Sequence, residues 1–95
     1  MRESRLQSEI ITWLRDQGAY VVNIYGSGRT AKGAPDLLVC HKGRFIAVEC
    51  KVGSGRLSPA QVIHRERILK AGGVHLTPYT LQQFIAEFGE VAKDG

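Results

Sequence analysis

Gly33 to Lys51, GAPDLLVCHKGRFIAVECK, is the stretch whose reading decides the fold. Asp36 follows a proline, two apolar runs come next, and Glu49 and Lys51 close the stretch with Cys50 between them. Each apolar run reads as a buried strand, and Lys42-Gly43-Arg44 reads as the hairpin turn that joins them. Side chains alternate along a strand. Glu49 and Lys51 therefore share a face, roughly 7 Å apart along the backbone, and Cys50 faces the other way. The hairpin returns the end of the second strand to the start of the first, which brings Asp36 beside Glu49. Two carboxylates and an ammonium then converge at one end of a sheet, without a His or Cys among them. Hard oxygen donors of this kind suit Mg²⁺ or Mn²⁺, not zinc.

On the N-terminal side, Leu6, Ile10, Trp13 and Leu14 recur at helical spacing over residues 3–17, and Gly18 stops the run as a C-cap would. Glu3 falls within the arc of those apolar residues, one heptad before Ile10. A carboxylate aimed at the interior needs a partner, so Glu3 is either a site residue or an acid favoured by the helix dipole. Ala19 to Tyr25 reads as a strand. The Gly-rich loop that follows carries Arg29 and Lys32 beside Asp36, and it can meet a phosphate backbone or serve as a solvated turn. No helix follows its glycines, so a dinucleotide-binding turn is excluded.

On the C-terminal side, a second Gly-rich turn, Val52 to Arg56, leads to Leu57-Ser-Pro-Ala-Gln61. Ser58 is a good N-cap, Pro59 fits the first helical position, and Gln61 completes a capping box. Gln61 also has a compatible functional reading, in which its amide orients a water or a phosphate. The helix should end at Gly72-Gly73, with a short strand over 74–77. Thr80 to Gln83 repeats the capping pattern, and Leu81, Phe84, Ile85 and Phe88 give the last helix an apolar face. Residues 89–95 read as a frayed tail. His41, His64 and His75 are scattered, and each is read as a surface or core residue. The order α-β-β-β-α-β-α predicts a small mixed sheet flanked by helices, an α/β fold.

The chain has 95 residues, 43 % apolar and 23 % charged, the composition of one ordinary globular domain spanning 1–95. No apolar run approaches the roughly 18 residues of a membrane span, and the N-terminus leads into an amphipathic pattern instead of a signal peptide. The net charge of +4 leans toward an anionic partner. Cys40 and Cys50 lie in apolar runs without Cys-x-x-Cys spacing and are expected to be reduced core thiols of a cytoplasmic protein.

Phosphodiester hydrolysis needs what this set supplies. Carboxylates can hold a metal that polarises phosphoryl oxygens and activates a water, and a cation nearby stabilises charge that grows in the transition state. Asp36 and Glu49 are the expected direct ligands. Lys51 would orient the water or stabilise the phosphate, Glu3 could reach the metal through a water, and Gln61 could position the nucleophile.

These pieces resemble the VRR-NUC (virus-type replication–repair nuclease) family of the PD-(D/E)xK superfamily. The resemblance rests on Glu3 with Leu6-Gln7, Gly33-Ala-Pro-Asp36, Val48-Glu49-Cys-Lys51 and Leu57-Ser-Pro-Ala-Gln61, in the family's order. It implies a restriction-endonuclease-like αβββαβ core and a Mg²⁺- or Mn²⁺-dependent DNA endonuclease. Glu3, Asp36, Glu49, Lys51 and Gln61 form its implied active-site set, with the backbone carbonyl of Cys50 as a further metal ligand. Arg29, Lys32 and Arg56 are the expected DNA contacts. Short stand-alone members of this kind look like phage or bacterial enzymes that form homodimers and cut branched DNA, including four-way (Holliday) junctions. That places the protein in a bacterial cytoplasm or the cytoplasm of a phage host. The alternative is a non-catalytic or sequence-reading nucleic-acid-binding domain of the same fold.

Overall fold

The computed structural model describes residues 2–24 and 31–94. Four strands form one sheet in the order β1-β2-β3-β4: β1 (Tyr20–Asn23), β2 (Leu37–His41), β3 (Arg44–Val48) and β4 (Val74–Leu76). The first three are antiparallel, and β4 joins β3 in parallel. Three helices complete the chain: α1 (Glu3–Asp16), α2 (Pro59–Lys70) and α3 (Leu81–Asp94). The predicted element order and the mixed α/β architecture are both realised.

The β2–β3 hairpin turns on Lys42 and Gly43, at φ of 50° and 80°. Two successive left-handed residues make the turn whose twist matches that of the flanking strands. Its register sets Leu37 opposite Val48, and Val39 opposite both Ile46 and Val21. One face of the sheet therefore carries Val21, Leu37, Val39, Ile46 and Val48, and these pack with Leu6, Ile10 and Leu14 of α1 and Phe84 and Phe88 of α3. Trp13 meets Phe84 and Phe88 edge-on, at centroid separations of 6.0 and 5.3 Å.

Alternation places Tyr20, Val22, Leu38, Cys40 and Phe45 on the opposite face, where Tyr20 and Phe45 are exposed. Gly73 lies between Ile68 of α2 and the Phe45 ring, so α2 flanks this second face. Two expectations are corrected here. Cys40 is exposed, because it lies on the face that α1 and α3 do not cover; Cys50 is buried as expected. Residues 89–94 continue α3 instead of fraying, since Val91 extends the apolar stripe of Phe84 and Phe88 onto the core.

Ser58 caps α2 through the reciprocal pair with Gln61 that the sequence predicts. At α3 the pattern is displaced by one residue. Thr80 accepts from the Gln83 N–H, but the Gln83 side chain returns to the N–H of Tyr79.

Candidate active site

The strand pairing continues past the end of β3. The N–H groups of Glu49 and Lys51 donate to Leu76 and Pro78 carbonyls on the β4 side, at 3.0 and 3.1 Å. Cys50 lies between them, so its N–H points the other way, toward β2, where Asp36 Oδ2 accepts it at 3.0 Å. The Cys50 side chain enters the core, as alternation requires. Asp36 is fixed at the other end of its backbone too, its carbonyl accepting from Ile24 N–H at 2.9 Å. Strand geometry alone thus brings Asp36, Glu49 and Lys51 to one end of the sheet.

The loop that delivers Asp36 is held by α2. Gly33 sits against Ala60 at a φ of +85°, and a Cβ there would come within 2.5 Å of the Ala60 carbonyl carbon. The His64 ring lies 3.1 Å from the Lys32 carbonyl through Nε2. Gly33→Ala should therefore destabilise the protein severely. Overpacking against backbone costs about 1–3 kcal/mol, and the left-handed conformation adds roughly 1–2 kcal/mol. At about 4–8 °C per kcal/mol for a domain of this size, the melting temperature should drop well beyond that of Gly43→Ala, which has a similar φ but open space around it. Equal melting temperatures for the two variants would show that the Gly33–Ala60 contact does not constrain the loop.

Asp36 and Glu49 are both buried, at 4 % and 3 % exposure. Burial pushes the Glu49 carboxyl up to about 8, the neighbouring Asp36 charge adds to this, and Lys51 opposes it. Asp36 is raised as well, chiefly by burial, while the Cys50 N–H works in the opposite direction. Burial, with these acids beside it, also raises the Cys50 thiol. Lys51 Nζ stands 3.9 Å from Glu49 Oε2, and Glu49 Oε1 has no hydrogen-bond partner among the described residues. Two acids thus share a dry site that has too little positive charge to ionise both.

Glu3 contributes to this site as a charge that raises both carboxyls. Glu9 instead pairs with Arg5 at 3.7 Å. Among the described residues no three His, Cys, Asp or Glu side chains stand in a ready ligand grouping, so Asp36 and Glu49 form a pair on which Glu3 acts through its charge. Gln61 is engaged in the α2 cap, its Oε1 accepting from Ser58 N–H at 2.7 Å. None of its hydrogen bonds among the described residues reaches the carboxylates. Lys32 and Arg56 are exposed, on the loops leading to Asp36 and away from Lys51; Arg29 lies outside the described residues.

Sequence reasoning left two contributors without a role. Gln7, one helical turn after Glu3, is buried at 3 % exposure beside Asp36; the i, i+4 spacing from Glu3 is the signal that could have found it. Tyr79 donates its hydroxyl to the Gly55 carbonyl at 2.7 Å and ties down the turn that folds back along the Lys51 side chain. That contact spans 24 residues and leaves no local trace in the sequence.

The sequence profile of the family described as archaeal Holliday junction resolvase (Hjc) matches residues 2–71. The chain belongs to this family. No curated protein sequence matches it. Among solved structures, a VRR_NUC domain superposes on the Hjc-family chain with a TM-score of 0.71 at 30 % identity, over 85 % of this chain and 87 % of that one. A VRR_NUC domain protein reaches a TM-score of 0.81 at 20 % identity, over 100 % of this chain and 91 % of its own. The Hjc of Archaeoglobus fulgidus, a Holliday junction resolvase from an archaeal hyperthermophile, gives 0.60 at 17 % identity over 81 % and 67 %. The last two show the fold alone. Together these findings place the chain within the PD-(D/E)xK nucleases, with the restriction-endonuclease-like fold that the resemblance implied.

Proposed function

We propose that this protein is a metal-dependent endonuclease that cuts branched DNA, four-way junctions among them, as a homodimer. The observation that carries the reading is the buried Asp36–Glu49 pair with Lys51 beside it. The donor set fits Mg²⁺ or Mn²⁺. Its side-chain donors are carboxylate oxygens, one of them is unpartnered, and Mg²⁺ commonly takes only one or two protein carboxylates and completes its shell with water and phosphate. A strand residue's N–H and C=O leave on the same side, so the Cys50 carbonyl is turned toward Asp36 and suits a further ligand. Glu3 would act through a water.

A divalent cation held there would polarise the phosphoryl group and favour ionisation of the attacking water. The chain's own residues do the rest. Asp36 and Glu49 would hold the cation at the end of the sheet, and the Cys50 N–H keeps Asp36 from rotating away. Lys51 is anchored by its pairing with Glu49 and offers its ammonium to the charge that grows on phosphate. Gln61, with Oε1 used by the cap, would donate its amide N–H₂ to a phosphate oxygen or to the nucleophile.

Charge supports a DNA partner. Nine of the 13 basic residues lie between residues 18 and 80, with only three of the nine acidic ones. Two of those three are Asp36 and Glu49, and the third, Glu66, pairs with Arg65 at 3.2 Å. Of the nine basic residues, Arg65, Arg67 and Lys70 lie on α2 and Lys32 and Arg56 on the loops beside the site, whereas α1 and α3 hold six of the nine acids. Replacing Lys32 or Arg56 with Ala should weaken binding to any DNA sequence and lower the slope of log K against log salt by about one each. A salt-independent wild type would show that DNA is the wrong ligand.

The second sheet face supports pairing of two copies. Tyr20 and Phe45 project from it at 69 % and 45 % exposure, around a shallow apolar depression formed with Val22, Leu38 and Cys40. An exposed apolar face of this kind marks an interaction surface, and two copies can bury it against each other about a two-fold axis. Phe45→Glu should convert the dimer to a monomer in sedimentation analysis. A dimer that persists must pair through another face.

The test of the whole reading is cleavage of a labelled four-way junction and its linear duplex control, in EDTA, Mg²⁺ and Mn²⁺. Metal-dependent cutting of the junction supports it. A folded protein that binds the junction and cuts no DNA would overturn it.

A further inference from the structure

Gln7 is a buried amide at the back of the site that the reaction, as derived above, does not use. It stands on the same face of α1 as Glu3, is 3 % exposed, and its Nε2 has no acceptor at hydrogen-bonding distance among the described residues. A dry donor without an acceptor destabilises a fold, and an apolar side chain of equal length would fill the position better. Its neighbours explain what the amide is suited to. Asp36 Oδ2 accepts from the Cys50 N–H. Gln7 acts on the Asp36 carboxyl as a weak side-chain donor without meeting the geometry of a full hydrogen bond.

We propose that Gln7 is a positioning residue for the metal site: with a divalent cation held there, its Nε2 would donate to the Asp36 carboxylate and, together with the Cys50 N–H, fix the Asp36 rotamer. Outer hydrogen bonds of this kind orient ligating carboxylates, and their loss weakens metal binding by about 10–100-fold. The inference rests on the nuclease reading of the site and is tested apart from cleavage.

The experiment is calorimetric titration of the full chain with Mn²⁺ alone, together with thermal unfolding, for wild type and Gln7→Met. Methionine keeps the length of the side chain and removes the donor. The expected result is Mn²⁺ affinity lowered about 10-fold or more, with a metal-free melting temperature equal to or above wild type. A packing role predicts the reverse: lower stability and unchanged affinity. Cleavage by Gln7→Met should then recover as Mn²⁺ is raised. Equal Mn²⁺ affinity in variant and wild type would overturn the role of Gln7 alone. A wild type that takes up no Mn²⁺ would overturn the reading of the site beneath it. Gln7→Leu serves as a second apolar variant; if both variants unfold, Gln7 holds the fold and the proposal fails.

Discussion

Asp36→Asn and Lys51→Ala should each fold, bind a four-way junction within several-fold of wild type, and cut it about 10³-fold more slowly or worse. The asparagine keeps the shape of Asp36 and an oxygen that can still accept the Cys50 N–H, which is 3.0 Å from Oδ2. What it removes is the negative charge that would hold a cation. Losing a single electrostatic stabiliser of a transition state costs about 10²–10³ in rate, and losing a ligand removes the cation's contribution as well. Lys51→Ala acts differently. It takes away the one cation 3.9 Å from Glu49 Oε2, so Glu49, already raised by burial and by Asp36, becomes harder still to ionise.

The competing account makes these residues a structural ion-pair network. Such a network should satisfy its own acceptors, because an unpaired buried oxygen is a cost with no return. Glu49 Oε1 has no donor among the described residues, and one ammonium faces two acids. Without a cation the pair is accommodated only by keeping a proton between Glu49 and Asp36. The measurement that separates the accounts is junction binding and melting temperature beside the cleavage rate. A parallel fall in all three for Asp36→Asn would make the cluster structural.

The site was legible in the sequence where strand geometry alone decides it. Alternation over Glu49-Cys50-Lys51 fixes which side chains share a face. The turn read at Lys42-Gly43-Arg44, which the structure tightens to Lys42 and Gly43 with Arg44 opening β3, brings them back beside Asp36. The capping pair Ser58–Gln61 is equally local. Coverage of a sheet face is different, because it depends on where distant helices pack. The run LLVCH reads the same whether Cys40 is covered or open, and it is open because α1 and α3 both take the other face. Gln7 belongs to the stretch that carries the family resemblance, but its influence on Asp36 depends on how α1 packs against the sheet. Tyr79 reaches Gly55 only through the tertiary fold. The resemblance to VRR-NUC domains is matched among solved structures, while the profile that fits the sequence is that of Hjc.

Metal-free protein should lose stability as pH rises from about 4.5 to about 8 and then level off. Glu49 titrates near 8 in the folded chain against an ordinary value of 4.5, and Asp36 is raised too. Over that window the folded state keeps a proton that the unfolded state has released. Stability falls with pH wherever the native state binds more protons. The contribution is therefore complete below the ordinary carboxylate range and gone once pH passes about 8. Most small proteins with salt-bridged acids slope the other way, so the sign is diagnostic.

A divalent cation should oppose the loss, since it binds the ionised pair that high pH creates. At a concentration 100 times its dissociation constant a ligand adds about 2.7 kcal/mol, which at roughly 4–8 °C per kcal/mol is a melting shift of more than about 10 °C. That shift should be large at pH 8 and small at pH 5. Glu49→Gln should flatten the pH slope and lose most of the Mn²⁺ response, because the amide carries no proton to release and holds the cation poorly. Thermal unfolding across this pH range, with and without Mn²⁺, measures all of it. A wild type that grows more stable from pH 5 to 8 would mean that Asp36 and Glu49 are already neutralised by charges within the fold. The pair would then have no need of a cation, and the nuclease reading would lose its physical basis.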